Sequence, residues 1–166
     1  KFTEATIVGI TGTRGKSTVT HLVEHIATLA YPKHVFLGGN VRGVATLPLL
    51  KKVKVGDIVI LELDSWQLQG FGDAQRSPHI SVFTNFLVDH MNYYKNDTEK
   101  YWNDKANIFK YQTPENTLIL GEQAAKEFKK RNAKTEGEIH IAKKNIVPAN
   151  WKIKIPGEHN LSNIAC

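Results

Sequence analysis

Apolar runs and polar turns alternate along this chain with two different periods. Short stretches that are apolar almost throughout recur at 6–11, 35–37, 58–63, 80–83, 117–120 and 139–142. Each predicts a β-strand buried on both faces. Between them the spacing is helical. Residues 17–30 place Val19, Leu22, Val23, Ile26, Leu29 and Ala30 on one face, which predicts an amphipathic helix packed by that stripe. Further helices are predicted at 45–52, 97–110 and 122–131, and a last one opens after the Pro156-Gly157 break. Trp151–Ile155 alternates apolar and charged residues and reads as an exposed strand. The alternation of strands and helices predicts an α/β fold in three layers, with a mostly parallel sheet covered on both faces. No repeat, low-complexity segment or domain boundary interrupts it.

In such sheets ligands gather at the carboxyl ends of the strands. The polar clusters of this chain fall there: Gly12–Ser17, Gly38–Asn40, Glu62–Ser65, and Thr84-Asn85 with Asp89-His90. The first is the most specific. Ile7-Val8-Gly9-Ile10-Thr11-Gly12-Thr13-Arg14-Gly15-Lys16-Ser17-Thr18 is an apolar strand, a glycine loop, and Lys-Ser-Thr opening a helix. Such a loop turns backbone N–H groups toward a polyphosphate. The helix end adds positive potential, Lys16 a charge, and Ser17 a hydroxyl for magnesium. The motif is a variant of the P-loop pattern, because Ile10 stands where the strict form has its first glycine. Arg14 reads either as a further phosphate contact or as a solvated side chain.

Glu62 closes an apolar strand. Beside a phosphate loop it reads as a magnesium ligand, and without one as a strand-end salt-bridge partner. Asp64 is a weaker candidate for the same task. His90 follows a strand end and an acid, so it reads either as a surface or packed histidine or as a metal ligand or substrate contact. Composition alone places Lys105 on the solvated face of a helix.

The rest of the composition narrows the class. A length of 166 residues suits one domain with a real core. The net charge of +6 is spread over scattered lysines, which fits an anionic small molecule better than a nucleic acid. One cysteine, Cys166, allows no internal disulfide and fits a reducing compartment. No apolar run is long enough to span a membrane and no signal peptide is visible, so a cytoplasmic protein without membrane insertion is expected. The chain starts at Lys1, and its last residues read as a helix cut in its first turns. It is therefore expected to be an excised domain.

Five ordered motifs together resemble the Mur ligases. They are Thr11–Thr18, Gly38-Gly39-Asn40, Glu62-Leu63-Asp64-Ser65-Trp66-Gln67-Leu68, Thr84–Met91 and Pro156–Asn163, with Tyr101…Lys105…Ile108 as a sixth. They cover essentially the whole chain. The resemblance implies the central ATP-binding domain of a monomeric three-domain ligase that uses ATP and magnesium and forms an amide through an acyl phosphate. Within the family the likeness is greatest to the branch that joins D-glutamate to UDP-N-acetylmuramoyl-L-alanine. It implies nucleotide contacts from Gly12, Thr13, Gly15, Lys16, Ser17 and Thr18, with Asn160 and Asn163 near the adenine. It implies magnesium ligation by Ser17, Glu62, His90 and a carbamylated Lys105, and a substrate contact from Asn40. Lys16, His90 and Lys105 would take part in catalysis. Another Mur-type or folylpolyglutamate-type ligase, and a P-loop module without ligase activity, are the competing readings.

Overall fold

The computed structural model describes residues 5–166, so residues 1–4 of the expected domain lie outside the described residues. Six strands form one sheet: β1 (Thr6–Thr11), β2 (Val35–Gly39), β3 (Ile58–Glu62), β4 (Ile80–Phe83), β5 (Thr117–Gly121) and β6 (Glu138–Ala142). Their order is β2-β3-β1-β4-β5-β6. Every pairing is parallel, which is stricter than the expected mostly parallel sheet. At the carboxyl end Ile10 is opposite Glu62 on one side, and Thr11 is opposite Phe83 on the other.

Alternate residues of each strand feed two cores. Val8, Ile10, Ile60 and Val82 face Val19 of helix α1 (Lys16–Ala30) and partly buried Cys166. Ile7, Val59, Leu61, Phe83, Leu118 and Leu120 face the other way. They meet Leu68 of α3 (Ser65–Asp73), Tyr101 and Trp102 of α5 (Thr98–Ala106), and Ala124 of α6 (Glu122–Lys130). Burial on both faces is why the inner strands carry continuous apolar runs; β6, at the sheet edge, departs from the expected burial and leaves Ile139 and Ile141 exposed. The shorter helices are α2 (Leu49–Lys52), α4 (Met91–Tyr94) and α7 (His159–Ala165).

Several boundaries differ from the sequence pattern. The helix expected over 45–52 is one turn, because Pro48 begins it and the preceding residues form turns. The helix expected over 97–110 ends at Ala106, and Ile108 and Phe109 enter the core from a following turn. The helix α3 was not expected. Its start is set by a capping box: Asp64 accepts from Gln67 N (2.8 Å) while the Gln67 side chain accepts from Asp64 N (3.1 Å). The expected strand Trp151–Ile155 is absent. That segment runs without regular structure, and its apolar residues line a cleft with Val23 of α1 and Ile164 of α7. Trp151 and Ile155 stay exposed at the rim of that cleft. On α1 itself Val19 is buried, but Ile26 and Leu29 are 65% and 71% exposed.

Candidate nucleotide and metal site

The strand order places β1 between β3 and β4; after β1 the chain crosses to β2 on one side of the sheet, and after β4 it crosses to β5 on the other. A crevice opens at such a switch point, outside the carboxyl ends of the strands. The glycine loop fills the floor of this crevice. Gly12 and Gly15 have φ of +151° and +80°, which glycine adopts without steric penalty. A side chain on Gly12 would strike Thr84, and one on Gly15 would strike Asn163.

Beyond Gly15 the loop becomes α1. The first intrahelical bond runs from Val19 N to Gly15 O (3.0 Å), and no side chain caps this end. The N–H groups of Lys16, Ser17 and Thr18 therefore lack intrahelical acceptors. With the helix dipole they make a local anion site. Lys16 folds over the loop and donates to Gly12 O (3.1 Å) and Thr13 O (3.4 Å). Burial lowers its pKa, while the carboxylates of Glu62, Asp64 and Asp89 oppose that shift. Thr13 turns away from the mouth. Its hydroxyl donates to Leu87 O (3.1 Å) and accepts from Leu87 N (2.9 Å).

Lys105 corrects the solvated-helix reading. It is 2% exposed and lies under the loop. Its Nζ donates to Gly12 O (3.0 Å) and Thr11 Oγ1 (3.2 Å), and sits 5.2 Å from the centre of the Tyr101 ring. Burial pushes its pKa down to about 7, with the nearby Lys16 charge adding to the effect. The helix carrying it is anchored by Asp104, whose carboxylate accepts from Gln69 (2.7 Å) and Tyr94 (2.9 Å). Composition gives no hint of this burial, because the apolar stripe of α5 is short.

Glu62 ends β3 inside the same crevice. It is 4% exposed, and its Oε2 has no hydrogen-bond partner. A buried carboxylate oxygen left without a partner is costly unless a cation or proton joins it. Asn40 is exposed beside it, its N–H donating to Glu62 O (2.8 Å). Asp64 serves as the cap of α3. His90 is exposed, with a left-handed backbone (φ +56°), and its ring meets Trp66 at 4.9 Å and Tyr101 at 6.0 Å. Arg14 is mostly solvated and pairs at 3.7 Å with Asp89.

The two asparagines of α7 lie across the loop. Asn160 donates to Pro156 O (2.7 Å) and accepts from Asn163 (2.8 Å). Asn163 and His159 line a cleft of about 520 Å³ with Arg14, Gly15, Thr18 and Asn85, a size that suits a nucleoside-sized ligand. The structure thus brings Lys16, Lys105, Glu62 and the α1 end to one crevice, with Asn163 at its flank. Among the described residues no three His, Cys, Asp or Glu side chains converge on one point. Sequence reasoning missed the structural contacts of Thr11 and Asn85, although both stand at strand ends beside the loop. Among the described residues no helix is long and apolar enough to cross a membrane.

Comparison with known proteins agrees with this arrangement. Residues 10–145 match the family model described as the Mur ligase middle domain. The UDP-N-acetylmuramoylalanine--D-glutamate ligase of Pediococcus pentosaceus is 30% identical over 96% of this chain. The enzyme of the same name from Borreliella afzelii is 38% identical over 81% of it. The chain spans only 38% and 29% of those two proteins. Among solved structures, the MurF ligase of Thermotoga maritima in complex with ADP superposes on 82% of this chain and 32% of its own, with a TM-score of 0.58 and 19% identity, a likeness of fold. Since the family model covers most of its residues and both relatives share at least three in ten, the chain belongs to the Mur ligases, as a middle domain.

Proposed function

We propose that this chain is the nucleotide-binding part of a longer ATP-dependent ligase that adds D-glutamate to UDP-N-acetylmuramoyl-L-alanine. One observation carries this reading most: the unpartnered Glu62 oxygen is buried in the crevice that also holds Lys16 and the uncapped end of α1. A phosphate loop facing a buried carboxylate is a place for a metal-bound polyphosphate. The ADP named with the Thermotoga structure and the names of the relatives support the same reading.

The reaction class follows from the chemistry of a carboxylate, which is a poor electrophile. Transfer of the γ-phosphoryl group of ATP to a carboxylate oxygen breaks the β–γ bridge and leaves ADP and an acyl phosphate. The amine of D-glutamate then adds to the carbonyl carbon. The tetrahedral adduct expels inorganic phosphate, and the nitrogen loses its proton. The N–H groups of Lys16, Ser17 and Thr18 would hold the phosphates in line, and Lys16 would offset charge on the transferred group. Gly12 and Gly15 let the backbone approach. Asn163 would flank the base, with Asn160 holding it in place. Asn40, beside Glu62, would face the substrate.

Magnesium fits the residues present. The Ser17 hydroxyl and Glu62 carboxylate are hard oxygen donors of the kind this ion takes. His90 and a carbamylated Lys105 would serve a second ion. When bound, such ions neutralise the phosphate oxygens. A ligase that draws on ATP in this way would work where ATP is supplied, in the cytoplasm.

Phosphate release by the full-length protein tests the proposal. It is expected to require both D-glutamate and UDP-N-acetylmuramoyl-L-alanine, and to vanish in Lys16→Ala. Release that is indifferent to the amino acid, or equal with another one, would reject the substrate assignment. The 166-residue chain alone is expected to bind magnesium-ADP without turnover, because donor and acceptor need the rest of the protein to hold them together.

A further inference from the structure

The phosphate loop carries a mechanical weakness that its glycines create. Gly12 and Gly15 flank the dipeptide Thr13-Arg14, and both have positive φ. A peptide unit with glycine on one side, as Gly12–Thr13 and Arg14–Gly15 are, can turn over at less cost than one between two side-chain-bearing residues. If it turned, the entry to α1 would be re-aimed and the N–H groups of Lys16, Ser17 and Thr18 would lose their common direction.

We propose that Asn85 is the positioning residue that holds this unit, and that it thereby sets nucleotide affinity without being a catalytic residue. The inference rests on the loop being the nucleotide site. The Asn85 side-chain amide takes both backbone groups of Arg14. Its Oδ1 accepts from Arg14 N (2.9 Å), and its Nδ2 donates to Arg14 O (3.0 Å). The Asn85 backbone carbonyl accepts from Thr13 N (2.9 Å). Thr84 adds a second donor to Arg14 O (2.7 Å). Every backbone group by which Arg14 could rotate is therefore occupied by residues 84–85.

The clamp is itself anchored. One residue on, Gln123 of α6 repeats the arrangement. Its Oε1 accepts from Phe86 N and its Nε2 donates to Phe86 O, both at 2.6 Å. The Phe86 ring packs on Tyr101 and Trp102 and lies under the Arg131 guanidinium. The next residue, Leu87, is gripped through both backbone groups by the Thr13 hydroxyl. Residues 84–87 thus form a strap between the helix layer and the loop. The asparagine amide suits this position because it carries its donor and its acceptor on separate atoms, so it reaches Arg14 N and Arg14 O at once.

The test is Asn85→Ala and Asn85→Asp in the 166-residue chain, read by amide hydrogen exchange without ligand and by calorimetry with magnesium-ADP. Aspartate can accept from Arg14 N but cannot donate to Arg14 O. In Asn85→Ala the Arg14 amide is expected to lose at least ~10-fold protection while core amides of β1 keep theirs. ADP affinity is expected to fall roughly 10- to 100-fold, the effect of losing two hydrogen bonds, with Asn85→Asp no better than midway. Unchanged exchange at Arg14 would overturn the inference, even if ADP binding weakened, since that pattern marks a direct ligand contact. If wild type bound no ADP, the nucleotide reading and the affinity role would both fall. Exchange at Arg14 would still decide whether the clamp exists.

Discussion

Lys16 and Lys105 donate to the same acceptor, the Gly12 carbonyl oxygen, at 3.1 and 3.0 Å. Lys105 is the more deeply buried of the two, and the neighbouring Lys16 charge adds repulsion to the cost of that burial. That is why its pKa falls to about 7. Burial lowers the pKa of the half-buried Lys16 too, but there the carboxylates of Glu62, Asp64 and Asp89 oppose the shift.

A pH dependence of stability follows, with a definite sign. The folded pKa of Lys105 lies near 7, and in the unfolded chain an ordinary lysine titrates near ~10.4. Between these values the unfolded chain binds more protons, so the Lys105 contribution to stability rises with pH. The unfavourable burial of the charge is complete below pH ~7 and is relieved above it, by at most about 1.4 kcal/mol per pH unit. Lys105→Met has no such group. Urea denaturation at pH 6.5, 7.5 and 8.5 should therefore show the variant's stability relative to wild type declining as pH rises. A constant difference would show that Lys105 titrates like a surface lysine.

Glu62→Gln separates folding from ligand binding. The buried Oε2 has no partner, so neutralising the side chain is expected to leave the metal-free chain as stable as wild type, or more stable by about 1 kcal/mol. The same change removes an anionic oxygen from the proposed magnesium site. Magnesium-dependent ADP affinity should fall roughly 10- to 100-fold, the cost of one charged contact. Thermal unfolding with and without magnesium-ADP reads both effects. A variant that loses stability without ligand and keeps its affinity would make Glu62 a structural residue only.

For Asp64 the structure favours a role as helix cap over one as metal ligand. Its Oδ1 accepts from Gln67 N, and among the described residues no metal-like cluster forms around it. Serine caps nearly as well as aspartate, and alanine does not. Asp64→Ala is expected to cost about 1 kcal/mol of stability, and Asp64→Ser only a few tenths. ADP binding should survive in Asp64→Ser within about threefold. A tenfold loss of affinity in the serine variant, with stability retained, would restore Asp64 as a ligand.

The strands and the loop were legible in the sequence because each has a local physical cause. Parallel strands buried on two faces must be apolar throughout, and Ile58–Glu62 and Ile80–Phe83 are nearly so. Gly-Lys-Ser after such a strand leaves few alternatives. Helix α3 was not found because Gly70 and Gly72 dilute its periodicity, although the Asp64…Gln67 capping box was present as a signal. The segment 151–155 misled because a period of two is the mark of a strand wherever it occurs, and only the tertiary structure shows that it runs along a cleft beside α1 and α7 without pairing to the sheet. Lys105 was beyond local reasoning, since its burial depends on Thr11 and Gly12, more than ninety residues away.

The carbamate expected on Lys105 yields the last prediction. A neutral amine adds carbon dioxide to give a carbamate and a proton, and an ordinary lysine is too rarely neutral near pH 7 for this. The buried Lys105, with its pKa near 7, is neutral for about half the time at that pH. The product is an anion, though, and in the bare crevice it would give up the contacts to Thr11 and Gly12 for a buried charge that Lys16 offsets only in part. Modification should therefore be slight in the isolated chain and increase when magnesium and nucleotide are bound. Carbon-13 NMR with labelled bicarbonate would follow it. In the full-length protein, Lys105→Ala should reduce ligation roughly 10- to 100-fold, comparable to losing a supporting group at a metal site. Added acetate or propionate should restore part of the rate by returning an anion to the emptied space. Near-normal turnover in Lys105→Ala would leave the lysine with only the task the structure already shows, bracing the phosphate loop from beneath through Gly12 O.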